Sequence, residues 1–383
     1  MVTAHSSSGT WDIFCKVVDN YGDAGVCWRL ARMLAGEHQL HVRLWIDNPA
    51  VLQALHPALD ISLPEQQAAG VTVINWNACT PDPVSTAVIV EGFGCGLPDA
   101  YVAAMGGRAK PPLWIVLEYL SGEAWVDEHH GLASPHPRLP LPRYFFFPGF
   151  TAASGGLLRE HDLLQRRDAF GTAQRHAFWR RLGFDSPDSR TLTLSLFSYA
   201  DAPVAELLSA MAEGDAPVVV AVPQGSAMSA VDAYLGKSGS VAKSRLRGRL
   251  EVRSLPFLPQ DEYDELLWAC DLNLVRGEDS FVRAQWAARP LVWQPYRQDD
   301  GVHQRKMEAF LDRYCVGLAP ETDAVLRAFW RVWNGESGVA TSWRGMRQAL
   351  PVLAGHAGLW AAHLAGFRNL ATQLVGFARD RVK

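Results

Sequence analysis

The chain has few cysteines and no motif built from them: the six, at positions 15, 27, 79, 95, 270 and 315 of 383, include no Cys-x-x-Cys pair. Several sit inside apolar runs as small core residues do, so a reduced, intracellular protein is expected. The twelve histidines, His129, His130 and His136 among them, match no zinc spacing on a recognisable scaffold, which sets a structural metal aside. No apolar stretch approaches the length of a membrane span, and residues 1–10 are polar and serine-rich without the hydrophobic region of a secretory signal. A cytoplasmic protein with no membrane partner is the expectation. Basic charge is not in excess: 36 Lys and Arg against 40 Asp and Glu leave a net charge of -4, without the basic face that nucleic-acid binding calls for. One short basic run, residues 243–249, has no interleaved aromatics to stack bases and reads as a solvated loop face. Solenoid-period repeats and low-complexity tracts are missing too.

What is present suits a globular protein with full cores: 48% of residues are hydrophobic and 20% charged, and the length accommodates two α/β domains. Most of the 14 tryptophans belong in those cores, with room for some in a cleft. Residues 11–18 read as a buried strand that leads into a helix starting on Gly25 and running to Ala35. Residues 40–46 read as a second strand whose polar members suit a sheet edge. Further strands are expected at 71–74, 87–90 and 113–117, the last two opening into Glu91-Gly92-Phe93-Gly94-Cys95-Gly96 and Glu118-Tyr119. Proline and aromatics crowd 134–150, and 151–188 turns polar and then helical, which places a domain junction there. Strands resume at 191–198, 218–222, 250–254 and 272–275, with helices at 261–269, 302–314 and 322–333 and a long helical stretch after Ser342. The domains expected are 1–160, 161–365 and a C-terminal helix, 366–383, that packs back on the first.

Two strand-to-helix loops carry the chemistry. The first is Asp19-Asn20-Tyr21-Gly22-Asp23-Ala24-Gly25, at the carboxyl end of a strand, where open α/β sheets place their ligands. Gly22 and Gly25 do not make the Gly-x-Gly-x-x-Gly of a dinucleotide site, and two aspartates would repel a pyrophosphate. The loop suits acid/base work, or else its Asp and Asn supply turn and N-cap hydrogen bonds. The second is Arg276-Gly277-Glu278-Asp279-Ser280, again between an apolar run and a helix. Ser280 or Asp279 suits an N-cap, the helix N-terminus makes an anion site, and Arg276 adds a fork of donors to a phosphate. Glu278 suits sugar or ribose hydroxyls, unless the cluster is only a capped helix with a surface ion pair.

An acidic loop in one wound domain and a phosphate-type site in a second, facing across a cleft, describe a GT-B glycosyltransferase architecture. Residues 14–23, 25–32, 255–260 and 276–281 resemble, in order and over nearly the whole chain, the EarP family of protein-arginine rhamnosyltransferases. The resemblance implies transfer of L-rhamnose from dTDP-β-L-rhamnose to one arginine of elongation factor P, with inversion at the anomeric carbon and no cofactor. Position by position it implies that Asp23 is the general base, Asp19 its companion and Glu118 a holder of the acceptor guanidinium. Phe257 would stack on thymine, Gln260 and Tyr199 would contact the nucleotide, and Arg276, Glu278, Asp279 and Ser280 would form the pyrophosphate and ribose site. A metal is not called for, and the chain has no evident Asp-x-Asp. Competing expectations are another GT-B enzyme with a different acceptor, an epimerase, or a nonenzymatic binder of a translation factor.

Overall fold

A computed structural model describes residues 9–382 other than 20, 84, 137, 138, 140 and 237–242, and not the side chain of Asp299. Residues 1–8, in the polar N-terminal stretch, and Asn20, in the first loop, thus lie outside the described residues. The chain divides into two compact units, one of residues 1–161 with 366–383 and the other of 162–365.

The first unit alternates strands and helices: β1 (Thr10–Cys15), α1 (Tyr21–Gly36), β2 (Val42–Ile46), α2 (Pro49–Leu55), β3 (Glu65–Ala68), β4 (Val71–Asn75), β5 (Thr86–Gly92), α3 (Asp99–Gly106), β6 (Leu113–Leu117), α4 (Trp125–His129), β7 (Ala133–Pro135) and β8 (Pro142–Phe146). Its eight strands lie in the order β3-β4-β2-β1-β5-β6-β8-β7, parallel except for the two antiparallel edge strands β3 and β7. The core includes Phe14, Trp45, Ile89, Tyr101 and Trp114, mostly from sheet faces that helices cover. The order sets β1, β5 and β6 side by side, so the loops that follow them lie together at one end of the sheet.

The second unit comprises α5 (Leu163–Asp168), α6 (Thr172–Arg181), β9 (Leu192–Leu196), α7 (Val204–Ala212), β10 (Val218–Pro223), α8 (Ala227–Leu235), β11 (Ser244–Arg247), β12 (Leu250–Leu255), α9 (Gln260–Ala269), β13 (Leu272–Arg276), α10 (Asp279–Trp286), β14 (Leu291–Gln294), α11 (Val302–Tyr314), α12 (Pro320–Trp333) and α13 (Val339–Ala365). Its sheet runs β11-β12-β10-β9-β13-β14, parallel apart from β11. The last helix, α14 (Leu370–Arg381), belongs to the first unit: Asn369 caps it through the Thr372 N-H, and the Leu370 N-H donates to the Leu157 carbonyl at 2.9 Å. Of the tryptophans only Trp76 and Trp125 are not buried. No helix among the described residues is long and apolar enough to cross a membrane.

Several local expectations need correction. β2 is interior, between β4 and β1, and its Arg43 is tolerated there because Asp12, fully buried on β1, takes its Nε at 2.5 Å and a terminal nitrogen at 2.7 Å. The same carboxylate accepts from Thr86, Tyr101 and Trp45, so a buried charge is fully met. The first strand ends at Cys15, and α1 starts at Tyr21, four residues before Gly25. The basic run is the edge strand β11, with Arg245 on Asp232 and Arg247 over the Tyr234 ring. The proline-rich stretch holds the hairpin of β7 and β8, with β8 parallel to β6.

Candidate active site

The first loop is organised by a carboxylate reaching backwards. Asp23, the third residue of α1 and 2% exposed, accepts the backbone N-H groups of Val18 and Asp19 on one oxygen, Oδ2, at 2.8 Å each. An acid in the first turn commonly reaches back to the amides that precede a helix. Here it explains the early start of α1, since the amides before Gly25 find their partner inside the helix. Gly22 is needed for space: a Cβ there would stand 2.9 Å from Asp19 Oδ2. The Gly22 N-H in turn donates to the Asp19 carbonyl at 2.7 Å, which keeps the two aspartates on one turn.

Neighbouring strand ends complete the surroundings. From the end of β6, the Tyr119 hydroxyl donates to Asp23 Oδ1 at 3.3 Å, and its ring stacks on Phe93 with centroids 4.4 Å apart and planes 18° apart. Phe93 comes from the loop after β5, which the buried Glu91 holds by accepting the Gly96 N-H at 2.8 Å and Trp114 Nε1 at 2.9 Å. Glu118, half-buried, is fixed through its backbone, whose N-H donates to the Phe146 carbonyl at 3.0 Å. Behind Asp23 the Cys15 thiol is pushed up by a hydrogen bond with Cys27, by burial and by the Asp23 charge, so it stays protonated and inert. Asp19 and Asp23 thus follow β1 and Glu118 follows β6, with the end of β5 between them in the same sheet.

In the second unit the residues after β9, β12 and β13 converge. The Arg276 guanidinium carbon lies 4.6 Å from the Phe197 ring centre and 4.5 Å from that of Tyr199. Such cation-π pairing leaves the fork's edge for an anion. Gly277 takes φ +64, a left-handed turn that lets the chain pass from β13 into α10, and its carbonyl accepts Trp293 Nε1. Gln260, first residue of α9, donates to Asp279 Oδ2 at 3.2 Å. Tyr199 is held through its N-H by Gln294 Oε1 at 2.8 Å. Half-buried Phe257 lies in the short connection from β12 to α9. One expectation fails: neither Ser280 nor Asp279 is the N-cap. Glu278 occupies that position without a side-chain cap bond, while the Ser280 hydroxyl donates back to the Arg276 carbonyl. That hydroxyl finds a carbonyl one turn earlier because the turn at Gly277 brings it within reach. Burial pushes the Tyr263 phenol up, so it stays a neutral group beside Ser280 and Asp279.

Phe93, Phe197, Gln294 and the role of Tyr119 escape the sequence reading. Phe197 had a signal, since it precedes Tyr199 by two and residues two apart share a strand face. Tyr119 had none beyond standing next to Glu118. No group of three or more His, Cys, Asp and Glu among the described residues is placed to hold a metal.

Two Rossmann-like units in one chain, with an acidic strand-to-helix loop in the first and the Arg276-to-Ser280 strand-to-helix loop in the second, define a GT-B glycosyltransferase. The fold agrees with that of a UGT transferase from Siraitia grosvenorii, 12% identical, at a TM-score of 0.51 over 98% of this chain and all of that one. Residues 11–379 match the family model described as Elongation-Factor P (EF-P) rhamnosyltransferase EarP, and the chain belongs to that family. It is 48% identical to the protein-arginine rhamnosyltransferase of Pseudomonas putida, over 97% of this chain and 99% of that protein. It is 44% identical, with the same coverage, to the one of Pseudomonas aeruginosa. A solved structure described as the structural basis for EarP-mediated arginine glycosylation of translation elongation factor EF-P is 39% identical, with a TM-score of 0.70 over 97% of this chain and 99% of that one.

Proposed function

We propose that this protein moves L-rhamnose from dTDP-β-L-rhamnose to an arginine side chain of translation elongation factor P, inverting the anomeric carbon. The observation that carries the chemistry is the binding of Asp23, one oxygen pinned by two loop amides and the other held at the strand ends beside Tyr119.

An arginine is a poor nucleophile, because its guanidinium is protonated far above neutrality and its lone pairs are delocalised. Carboxylates solve this. Asp23, with Glu118 and Asp19 near it, hydrogen-bonds the guanidinium, localises its charge on the far nitrogens and takes a proton as one terminal nitrogen attacks. The new bond joins that nitrogen to C1 of rhamnose. The bond broken joins C1 to the phosphate oxygen of dTDP, which leaves with the electron pair. Inversion needs one base on the acceptor side, and charge builds on the ring as in an oxocarbenium ion. Leaving-group charge falls on Arg276 and the positive end of α10, with Asp279 and Ser280 shaping the turn and Glu278 meeting ribose hydroxyls. Phe257 stacks on thymine, and Gln260 and Tyr199 orient the nucleotide. The donor is a substrate, not a cofactor, and each step is assigned to side chains, with no metal. A translation factor as acceptor places the work in the cytoplasm.

The test compares wild type with Asp23→Asn on elongation factor P and dTDP-β-L-rhamnose. The expected loss in kcat is ~10²- to 10⁴-fold, the range of general-base removal, with dTDP affinity unchanged. Near-normal turnover by Asp23→Asn removes the base assignment, and no transfer by wild type removes the function.

A further inference from the structure

The two oxygens of Asp23 are not equivalent. Oδ2 accepts two backbone N-H groups at 2.8 Å, and both amides belong to the loop that shapes the turn. That oxygen cannot leave its partners without unmaking the loop. Oδ1 is the working oxygen, and its partner is the Tyr119 hydroxyl at 3.3 Å. A hydroxyl facing an ionised carboxylate can only donate, so this contact fixes the direction of the remaining lone pair.

Tyr119 is itself held from the side. Phe93 stacks on its ring, and the Phe93 N-H donates to the Leu117 carbonyl at 2.6 Å, two residues before Tyr119. One backbone bond and one ring stack thus join the ends of β5 and β6. To do so Phe93 adopts φ +56, a conformation that costs a bulky residue free energy and that glycine takes freely. Gly94 after it also takes a left-handed φ, +60, so of the two successive residues in that conformation one is a glycine and the other keeps a large ring. Such strain persists where the side chain has work to do.

We propose that Tyr119 is the positioning residue of the acceptor site, aiming Asp23 Oδ1 at the incoming guanidinium, and that Phe93 sets the ring that carries the hydroxyl. The proposal rests on the arginine-rhamnosylation reading above and adds to it two residues outside the acidic loop.

Tyr119→Phe keeps the stack and removes only the hydroxyl. The expected result is a fall in kcat of about tenfold, less than a positioned general base itself contributes, with the donor KM unchanged. Phe93→Gly relieves the backbone, so the folded protein should be as stable as wild type or more so, yet lose kcat to a similar degree. Phe93→Tyr, which restores a ring, should recover it. A purely structural pair would leave kcat in place in Tyr119→Phe and activity intact in Phe93→Gly, and either result overturns the proposal. The 13C chemical shift of the Asp23 carboxyl at neutral pH separates this from the function itself. If wild type transfers nothing, a changed chemical shift in Tyr119→Phe still supports the contact, and an unmoved signal overturns it.

Discussion

Asp264 on α9 and Arg283 on α10 form a two-pronged ion pair, Nε to Oδ1 at 2.8 Å and a terminal nitrogen to Oδ2 at 2.5 Å, with both side chains 1% exposed. The pair joins the two helices whose first residues, Gln260 and Asp279, are hydrogen-bonded at 3.2 Å. Removing one partner strands a buried charge. Asp264→Ala should therefore cost about 3–5 kcal/mol of stability, whereas an apolar pair of similar volume, Asp264→Leu with Arg283→Met, should fall close to wild type. Urea unfolding of the three proteins checks this.

Arg276 depends on shape as well as charge. Arg276→Lys keeps the positive charge and loses the flat face between Phe197 and Tyr199. dTDP affinity should drop by roughly tenfold or more, a difference of about 1.4 kcal/mol, and calorimetric titration gives the value. Affinity equal to wild type would reduce Arg276 to a point charge.

Gly22→Ala tests how closely the acidic loop is packed. The added methyl meets Asp19 Oδ2 at 2.9 Å, so the Asp19 carboxylate must turn away while the Asp23 bonds to the loop amides stay. The fold should survive with reduced turnover, and Asp19→Asn should show the same reduction. Full activity in both would make Asp19 a spectator.

His130 makes stability depend on pH. Burial holds its imidazole below the ordinary 6.5, and Nδ1 accepts the Phe147 N-H at 3.1 Å, a bond that protonation removes. The unfolded chain then binds the proton more readily than the folded one, so the contribution is complete above the unfolded value and declines as pH falls below about 6.5 toward the folded one. His38, lowered by burial, acts in the same direction. The urea midpoint should fall between pH 7.5 and 5.5, and His130→Gln should flatten that slope.

Much of this was legible in the sequence where local pattern and tertiary structure agree. Residues 113–117 and 302–314 form a strand and a helix with the bounds their hydrophobic periodicity suggests. Four motifs in order were enough for the family. Reading failed where the deciding partner is remote or backward. Arg43 looked like an edge residue because Asp12, which neutralises it, is 31 positions away. The start of α1 was misplaced because the carboxylate that satisfies the preceding amides comes from within the helix. β8 was hidden by prolines that lie at the ends of a strand, where a missing N-H costs little. Tyr119 belongs to the same class, since its importance is a contact with a residue 96 positions earlier.

The most direct measurement is the intact mass of elongation factor P after incubation with this protein, dTDP-β-L-rhamnose and a metal chelator. The account predicts a gain of one deoxyhexose that fragmentation maps to an arginine, and no gain when that arginine is replaced by lysine. An unchanged mass with dTDP bound, or a sugar mapped to any other residue type, would contradict it.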